Sequence, residues 1–237
     1  MSATRERRFV AEAVGTAMLL AAVVGSGIMA DRLSGGNEAI ALLANTLATG
    51  AALVALILTF GPISGAHFNP AVTVADASQG GLPWGDVPGY VAAQALGAVV
   101  GVWVAHAMFG ERLFMFSLHA RSGPAQLLSE FVATFGLLSV IWGCSRRRPA
   151  VVPFAVAAYI TAAYWFTAST SFANPAVTVA RALSDTFAGI RPIDVPGFIV
   201  AQFAGAAVAT MLFRWLVPAL PDTAEQVVVS RSTGARR

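Results

Sequence analysis

The heptapeptide Asn-Pro-Ala-Val-Thr-Val-Ala occurs twice in this chain, at 69–75 and 174–180, and its residue types define the chemistry on offer. Asparagine is a favoured helix N-cap, and proline fits the first helical turn, where its missing N–H would have had no partner. A helix begun this way presents a positive end. An asparagine amide beside that end offers N–H donors to the oxygen of a neutral hydroxylated molecule. This is chemistry of recognition and repulsion, without bond making. Covalent chemistry has little material: His67, His106 and His119 fall in different segments, Cys144 is the single cysteine, and there is no glycine-rich phosphate loop or nucleophile with a nearby base. Neither enzymatic activity nor a metal or cofactor site is expected, and Cys144 reads as a small buried or interfacial apolar residue.

The elements that must position these asparagines are apolar and long. Hydrophobic residues make up 57% of the chain and charged residues 11%, with a mean hydropathy of +0.69, whereas soluble domains carry about 25% charged residues. The apolar residues form six stretches near 9–30, 39–60, 87–109, 126–144, 150–166 and 195–217. Their lengths suit a hydrocarbon core of about 30 Å, which takes roughly 20 helical residues. The first stretch follows Arg5, Arg7 and Arg8 but contains Glu12 and exceeds the apolar core of a signal peptide, so it is read as a retained span.

The repetition extends beyond the heptapeptide. Asp86-Val87-Pro88-Gly89-Tyr90 is echoed by Asp194-Val195-Pro196-Gly197-Phe198, and Gln94 by Gln202, at an offset of 108 (194 − 86), close to the 105 (174 − 69) between the two motifs. Ala11-Glu12-Ala13-Val14-Gly15-Thr16 resembles Ser129-Glu130-Phe131-Val132-Ala133-Thr134. The chain thus divides into a first repeat at 1–118, a second at 119–220 and a tail at 221–237. Each repeat holds three spans, an odd number, so the second must enter the bilayer from the opposite side. Inverted repeats of this kind place their site near the midplane, on discontinuous helices. The helices begun by Asn69 and Asn174 run only to about Ser78 and Leu183, some 14 Å or half a bilayer. If both fold back in, their positive ends face each other at the centre, where a cation is repelled and a neutral hydroxylated solute is not.

All 15 basic residues are arginines. Arg5, Arg7 and Arg8, then Arg146, Arg147 and Arg148, and finally Arg231, Arg236 and Arg237 fall on one side of six spans, which the positive-inside rule makes the cytoplasm. Both termini are expected there. The arginines are split among short loops and form no continuous face, so nucleic-acid binding is not expected. Gly97 and Gly101 in the third span, and Gly205 with Ala209 in the sixth, read as close helix crossings within the subunit, with subunit contacts as the lesser alternative. The segment 110–124 reads as an outer loop resting on the mouth of the site.

Two motifs in repeat-equivalent positions, Ser64-Gly65-Ala66-His67-Phe68-Asn69-Pro70-Ala71-Val72 and Asn174-Pro175-Ala176, with a glutamate early in the first and fourth spans, make the chain resemble the aquaporin, or major intrinsic protein, superfamily over nearly all of 9–217. The resemblance implies an all-α membrane fold of six transmembrane helices plus two re-entrant half-helices, a homotetramer with one pore per subunit, and passive permeation of small uncharged molecules. It also implies that Glu12 and Glu130 hold the re-entrant loops through backbone hydrogen bonds, in competition with a proton-relay reading.

The family's arginine after the second Asn-Pro-Ala is here Val177. By counting along ungapped segments, the other constriction positions fall on Thr49, Ala162 and Ser171. Such a ring would be wide and uncharged. Arg181, one turn beyond Val177, reads as a solvated loop-end residue or a partner of Asp185, with a reach into the outer mouth as the alternative. Asp76, its repeat partner, is placed with it as a vestibule residue. His67 either lines the inner vestibule or packs against the loop. The expectation is a bacterial inner-membrane channel, embedded in the lipid bilayer, for glycerol-like polyols and neutral metalloid acids such as arsenous acid, plus water. The alternatives are a water-selective channel, a poorly conducting junctional protein and an ion-coupled transporter.

Overall fold

A computed structural model describes residues 3–145 and 148–217, so Arg146, Arg147, Arg231, Arg236, Arg237 and the tail at 221–237 lie outside the described residues. The described residues form eight α-helices: α1 (Arg5–Leu33), α2 (Glu38–Ser64), α3 (Pro70–Ser78), α4 (Val87–Phe109), α5 (Pro124–Ser145), α6 (Val152–Phe166), α7 (Pro175–Arg181) and α8 (Val195–Leu216). There is no strand among the described residues. Six of the helices are long and apolar enough to cross a membrane, three of them when counted with a short 3₁₀ turn that leads into α4, α6 or α8.

Local chemistry explains the boundaries. The Thr4 side chain caps α1 through the Arg7 amide, and Asn37 caps α2 through the Ala39 and Ile40 amides, satisfying N–H groups that a helix start leaves open. α2 runs past Pro62 and stops at Gly65, whose φ of 93° only glycine adopts without strain. It therefore reaches four residues beyond the expected 60. α7 ends at Arg181, short of Leu183, because the Ser184 and Ile190 amides both turn back to the Arg181 carbonyl.

Within each repeat the first and third spans pack together, α1 on α4 and α5 on α8, and α2 meets α6 between the halves. Small residues permit the close approach. A Cβ on Gly97 or Gly101 would overlap the carbonyl oxygen of Ala13 or Ala17, and one on Gly205 would overlap that of Phe131. The crossings are thus internal, as expected. Gly97→Val is expected to lower stability by roughly 1–3 kcal/mol, since backbone cannot yield as a side chain does; an unchanged melting temperature of the detergent-solubilised protein would contradict this spacing. Asp86 accepts from Arg5 at 2.8 Å and Arg8 at 2.6 Å, so α1 and α4 start on the same side. The half-helices bridge the repeats, α7 lying against α4 and α3 touching α8.

Candidate functional site

The two asparagines meet where the N-termini of α3 and α7 converge. Asn69 Oδ1 accepts from the Ala71 amide at 2.9 Å while its Nδ2 donates to the Ala173 carbonyl at 2.7 Å. Asn174 mirrors it, accepting from Ala176 at 3.0 Å and donating to the Phe68 carbonyl at 2.7 Å. Pro70 and Pro175 open the two helices, and Ala71 and Ala176 are buried behind them. Each asparagine therefore caps its own helix and clamps the chain leading into the other.

That leading chain is strained in the same way twice. Ala66 and Phe68 have φ of 49° and 48°, and their repeat equivalents Ser171 and Ala173 have 51° and 47°. Left-handed backbone at non-glycine residues costs about 1–3 kcal/mol each and persists only where the surroundings over-determine it. Two buried carboxylates do so. Glu12 accepts from the His67 and Phe68 amides at 2.9 and 2.7 Å, from Ser64 Oγ at 2.6 Å and from Gln94 Nε2 at 2.8 Å. Glu130 accepts from the Phe172 and Ala173 amides, both at 2.9 Å, and from Gln202 Nε2 at 2.6 Å. Every one of these neighbours is a donor held in place, which is an anchor's surroundings and not those of a proton relay.

Gln94 and Gln202 also donate to Thr73 and Thr178, and each threonine hydroxyl donates to the carbonyl of its asparagine. Sequence reasoning saw the glutamine echo but gave it no task. The signal was available, since Thr73 and Thr178 also repeat inside the heptapeptide.

A cavity is lined by both asparagines. Its walls are mostly apolar, with Leu53, Ile57, Val72, Leu137, Val156 and Ile160 among them, and its polar lining includes Asn69, Asn174 and the loop residues before them. Thr49, Ser171 and Val177 line one end. Ala162 does not. It lies on the exposed face of α6, and Ile160 and Tyr164 line the cavity instead. Two residues along a helix turn a side chain to the opposite face. The count that reached Ala162 crossed the non-helical residues 167–173, which carry no helical register. Tyr164 Oη stands 3.3 Å from Thr49 Oγ1.

For Arg181 the structure overturns the solvated and Asp185-paired reading and agrees with the alternative, a reach into the mouth of the site. Arg181 is 2% exposed and lines the cavity beside Val177, so it is not solvated. Its Nε donates to the Ala188 carbonyl and its guanidinium lies 3.4 Å from the Phe172 ring centroid. Asp185 instead accepts from the Leu118 amide at 2.8 Å. The end of the cavity beyond Val177 thus carries an arginine after all. The loop from α4 to α5 contributes another, Arg121, whose guanidinium donates to the carbonyls of Gly189 at 2.8 Å, Ser169 at 3.2 Å and Phe187 at 3.4 Å. Burial is the main cause that brings its pKa down to about 10, with Glu130 and Tyr164 acting the other way, so it remains charged near neutral pH. Nothing in the spacing of Arg121 distinguished it from the other loop arginines.

At the opposite end His67 both lines the cavity and is fixed by neighbours, with Nε2 3.3 Å from Asp76 Oδ2 and Nδ1 3.1 Å from Thr73 Oγ1. Asp76 is buried beside it and is not part of the lining.

Comparison with known proteins places these features. The family described as "Major intrinsic protein" matches residues 1–158. The chain is 56% identical over 216 residues to the aquaglyceroporin AqpS of Rhizobium meliloti (strain 1021), across 91% of this chain and 92% of that protein. It is 31% identical over 245 residues to a probable aquaporin, AqpM, of Archaeoglobus fulgidus, across 91% and 99% of the two chains. The X-ray structure of the aquaglyceroporin from Plasmodium falciparum superposes with a TM-score of 0.71 over 92% of this chain and 99% of that one, at 18% identity, a likeness of fold alone.

Proposed function

Because the chain belongs to the major intrinsic protein family, whose members are multi-pass membrane channels and not enzymes, we propose that it conducts small uncharged hydroxylated solutes passively, glycerol-like polyols and neutral metalloid acids such as arsenous acid among them, together with water. The observation that carries this reading is the mixed lining of the cavity, in which apolar side chains such as Leu53, Ile57, Leu137 and Ile160 accompany Asn69, Asn174 and the loop residues before them. A polyol has such a character itself, a carbon edge and a hydroxyl edge. The name of the relative AqpS, an aquaglyceroporin, supports it.

In this reading Asn69 and Asn174 offer donors at the midpoint, and Pro70, Ala71, Pro175 and Ala176 set the half-helices that bring them there. Glu12 and Glu130 hold the loops. Thr49, Ser171 and Val177, with Tyr164 replacing Ala162, form the outer constriction, and His67 with Asp76 beside it forms the inner vestibule. The converging positive ends of α3 and α7 repel cations, a barrier generally ascribed to aquaporin-type pores and carried over to this chain. The arginines before α1 and between α5 and α6 support a topology with both termini in the cytoplasm, and the bacterial relative AqpS supports an inner-membrane location. The functional unit is a homotetramer whose subunits each hold one pore.

A water-selective reading is favoured by one observation, the presence of Tyr164 and Arg181 in the constriction. Purified protein in liposomes separates the two. Stopped-flow light scattering is expected to show glycerol uptake, and direct assay uptake of arsenous acid, well above empty vesicles. Rapid water flux with solute uptake no faster than in empty vesicles would establish the water channel; neither flux would point to a junctional protein.

A further inference from the structure

Position 177 is valine, yet the outer constriction holds a cation, and its placement is unusual. α7 carries Val177 and Arg181 on one face, a helical turn or about 6 Å apart. Three consecutive carbonyls in the outer loop hold the arginines in alternation: Phe187 and Gly189 accept from Arg121, and Ala188 between them accepts from Arg181. The two guanidinium groups also share one ring, at 5.1 Å and 3.4 Å from the Phe172 centroid. No carboxylate touches either guanidinium among the described residues: Glu130 is occupied by the Phe172 and Ala173 amides and Gln202, and Asp194 by the Arg121 amide and Arg191.

Beyond Nε, the Arg181 guanidinium makes no hydrogen bond among the described residues. Its two terminal nitrogens are thus donors without a protein acceptor, in a side chain that is nine-tenths buried and lines the cavity. Ser171 Oγ, on the same end of the cavity, is buried and likewise without a partner. A buried donor left unmatched is costly, and a buried cation more so, unless something supplies acceptors. The occupants of the cavity are what remains to supply them.

We infer that Arg181, displaced one turn from position 177, is the specificity-determining residue of the outer constriction, donating to acceptor oxygens of the solute and repelling cations, and that Arg121 positions it through the 187–189 carbonyls and the Phe172 ring. The inference rests on the channel reading and deepens it: the solute class becomes compact molecules presenting two or more acceptor oxygens, which Arg181 and Ser171 engage together. Valine at 177 then leaves room beside the guanidinium instead of removing charge from the mouth. The repeat equivalent of Arg181 is Asp76, which is tied to His67 and lies outside the cavity lining, so of the two matching positions only Arg181 borders the cavity.

The test uses the full chain in liposomes with two readouts, cation leak under an imposed potential and glycerol uptake. Arg181→Leu is expected to raise sodium or proton leak by about tenfold or more, the scale of a unit charge acting over roughly 10 Å at an effective dielectric constant near 20, and to alter glycerol uptake, since the donors that engage the solute oxygens are lost. Arg181→Lys retains the charge and is expected to keep the leak low. The double variant Val177→Arg with Arg181→Leu is expected to restore the low leak by supplying charge from the neighbouring turn, a rescue that a merely structural role would not give. Arg121→Met is expected to raise the leak partway with glycerol uptake maintained, and an unchanged leak there would remove its positioning role. Rapid wild-type glycerol uptake beside a wild-type leak in Arg181→Leu overturns the assignment of Arg181 alone. If Arg181→Leu does not reconstitute, a high leak in Arg181→Lys overturns it equally. A wild type passing neither glycerol nor water would defeat the channel reading, independently of the leak.

Discussion

Glu130→Gln is expected to abolish solute flux and to cut the yield of folded protein. The Glu130 carboxylate receives the Phe172 and Ala173 amides and Gln202 Nε2 at 2.6 to 2.9 Å, with no exposure to water. A glutamine of the same shape has one acceptor oxygen and brings an NH₂ group of its own toward these donors, leaving at least one of them unmatched. An unsatisfied buried group costs about 1–3 kcal/mol, and more where a charge-assisted bond is lost. The loop it holds is already strained at Ser171 and Ala173, each left-handed at about 1–3 kcal/mol. Releasing the anchor lets the backbone relax, and Asn174 and Phe172 lose their places together. Glu12→Gln should act similarly on Ala66, Phe68 and Asn69. Size-exclusion chromatography in detergent and glycerol uptake in liposomes report the two consequences, and a well-folded Glu130→Gln protein with wild-type uptake would show that the carboxylate is dispensable to the loop.

Val177→Arg is the second substitution with a large expected effect. Val177 is 6% exposed and faces the same end of the cavity as Thr49, Ser171, Tyr164 and Arg181. An arginine there adds several heavy atoms to a space already bordered by one guanidinium, and sets two like charges a turn apart on α7. Glycerol uptake is expected to fall about tenfold or more, since a barrier higher by only about 1.4 kcal/mol suffices. Water, being smaller, should lose less. Equal loss of both would indicate a collapsed mouth, and unchanged glycerol uptake would mean that position 177 does not border the path.

Much of this molecule was legible from the chain. Span number and approximate limits followed from apolar stretches, because a bilayer leaves a helix few other compositions. The half-helices followed from Asn69-Pro70 and Asn174-Pro175, because N-cap chemistry is local and needs no knowledge of the remaining fold. The expectation of two inverted repeats came from the repeated sequence and the odd number of spans in each. For Glu12 and Glu130 the resemblance implied an anchoring role, with a proton relay as the competing reading, and the donors they receive could not be enumerated.

What the sequence could not carry was the direction of side chains that leave regular structure. Ala162 was placed by counting across residues 167–173, where no periodicity exists, and the true lining residues, Ile160 and Tyr164, lie two positions to either side. Arg121 looked like an ordinary loop arginine, and for Arg181 a reach into the mouth was only the alternative to a solvated place, because burial of a charge depends on carbonyls and a ring brought from 187–189 and Phe172, far from Arg121 along the chain. By itself, then, the sequence determined the elements, their symmetry and the residues at the centre, all properties of local pattern and repetition. Only the tertiary structure decided what faces the Val177 end of the cavity, because that depends on how three separate loops pack around one aromatic ring.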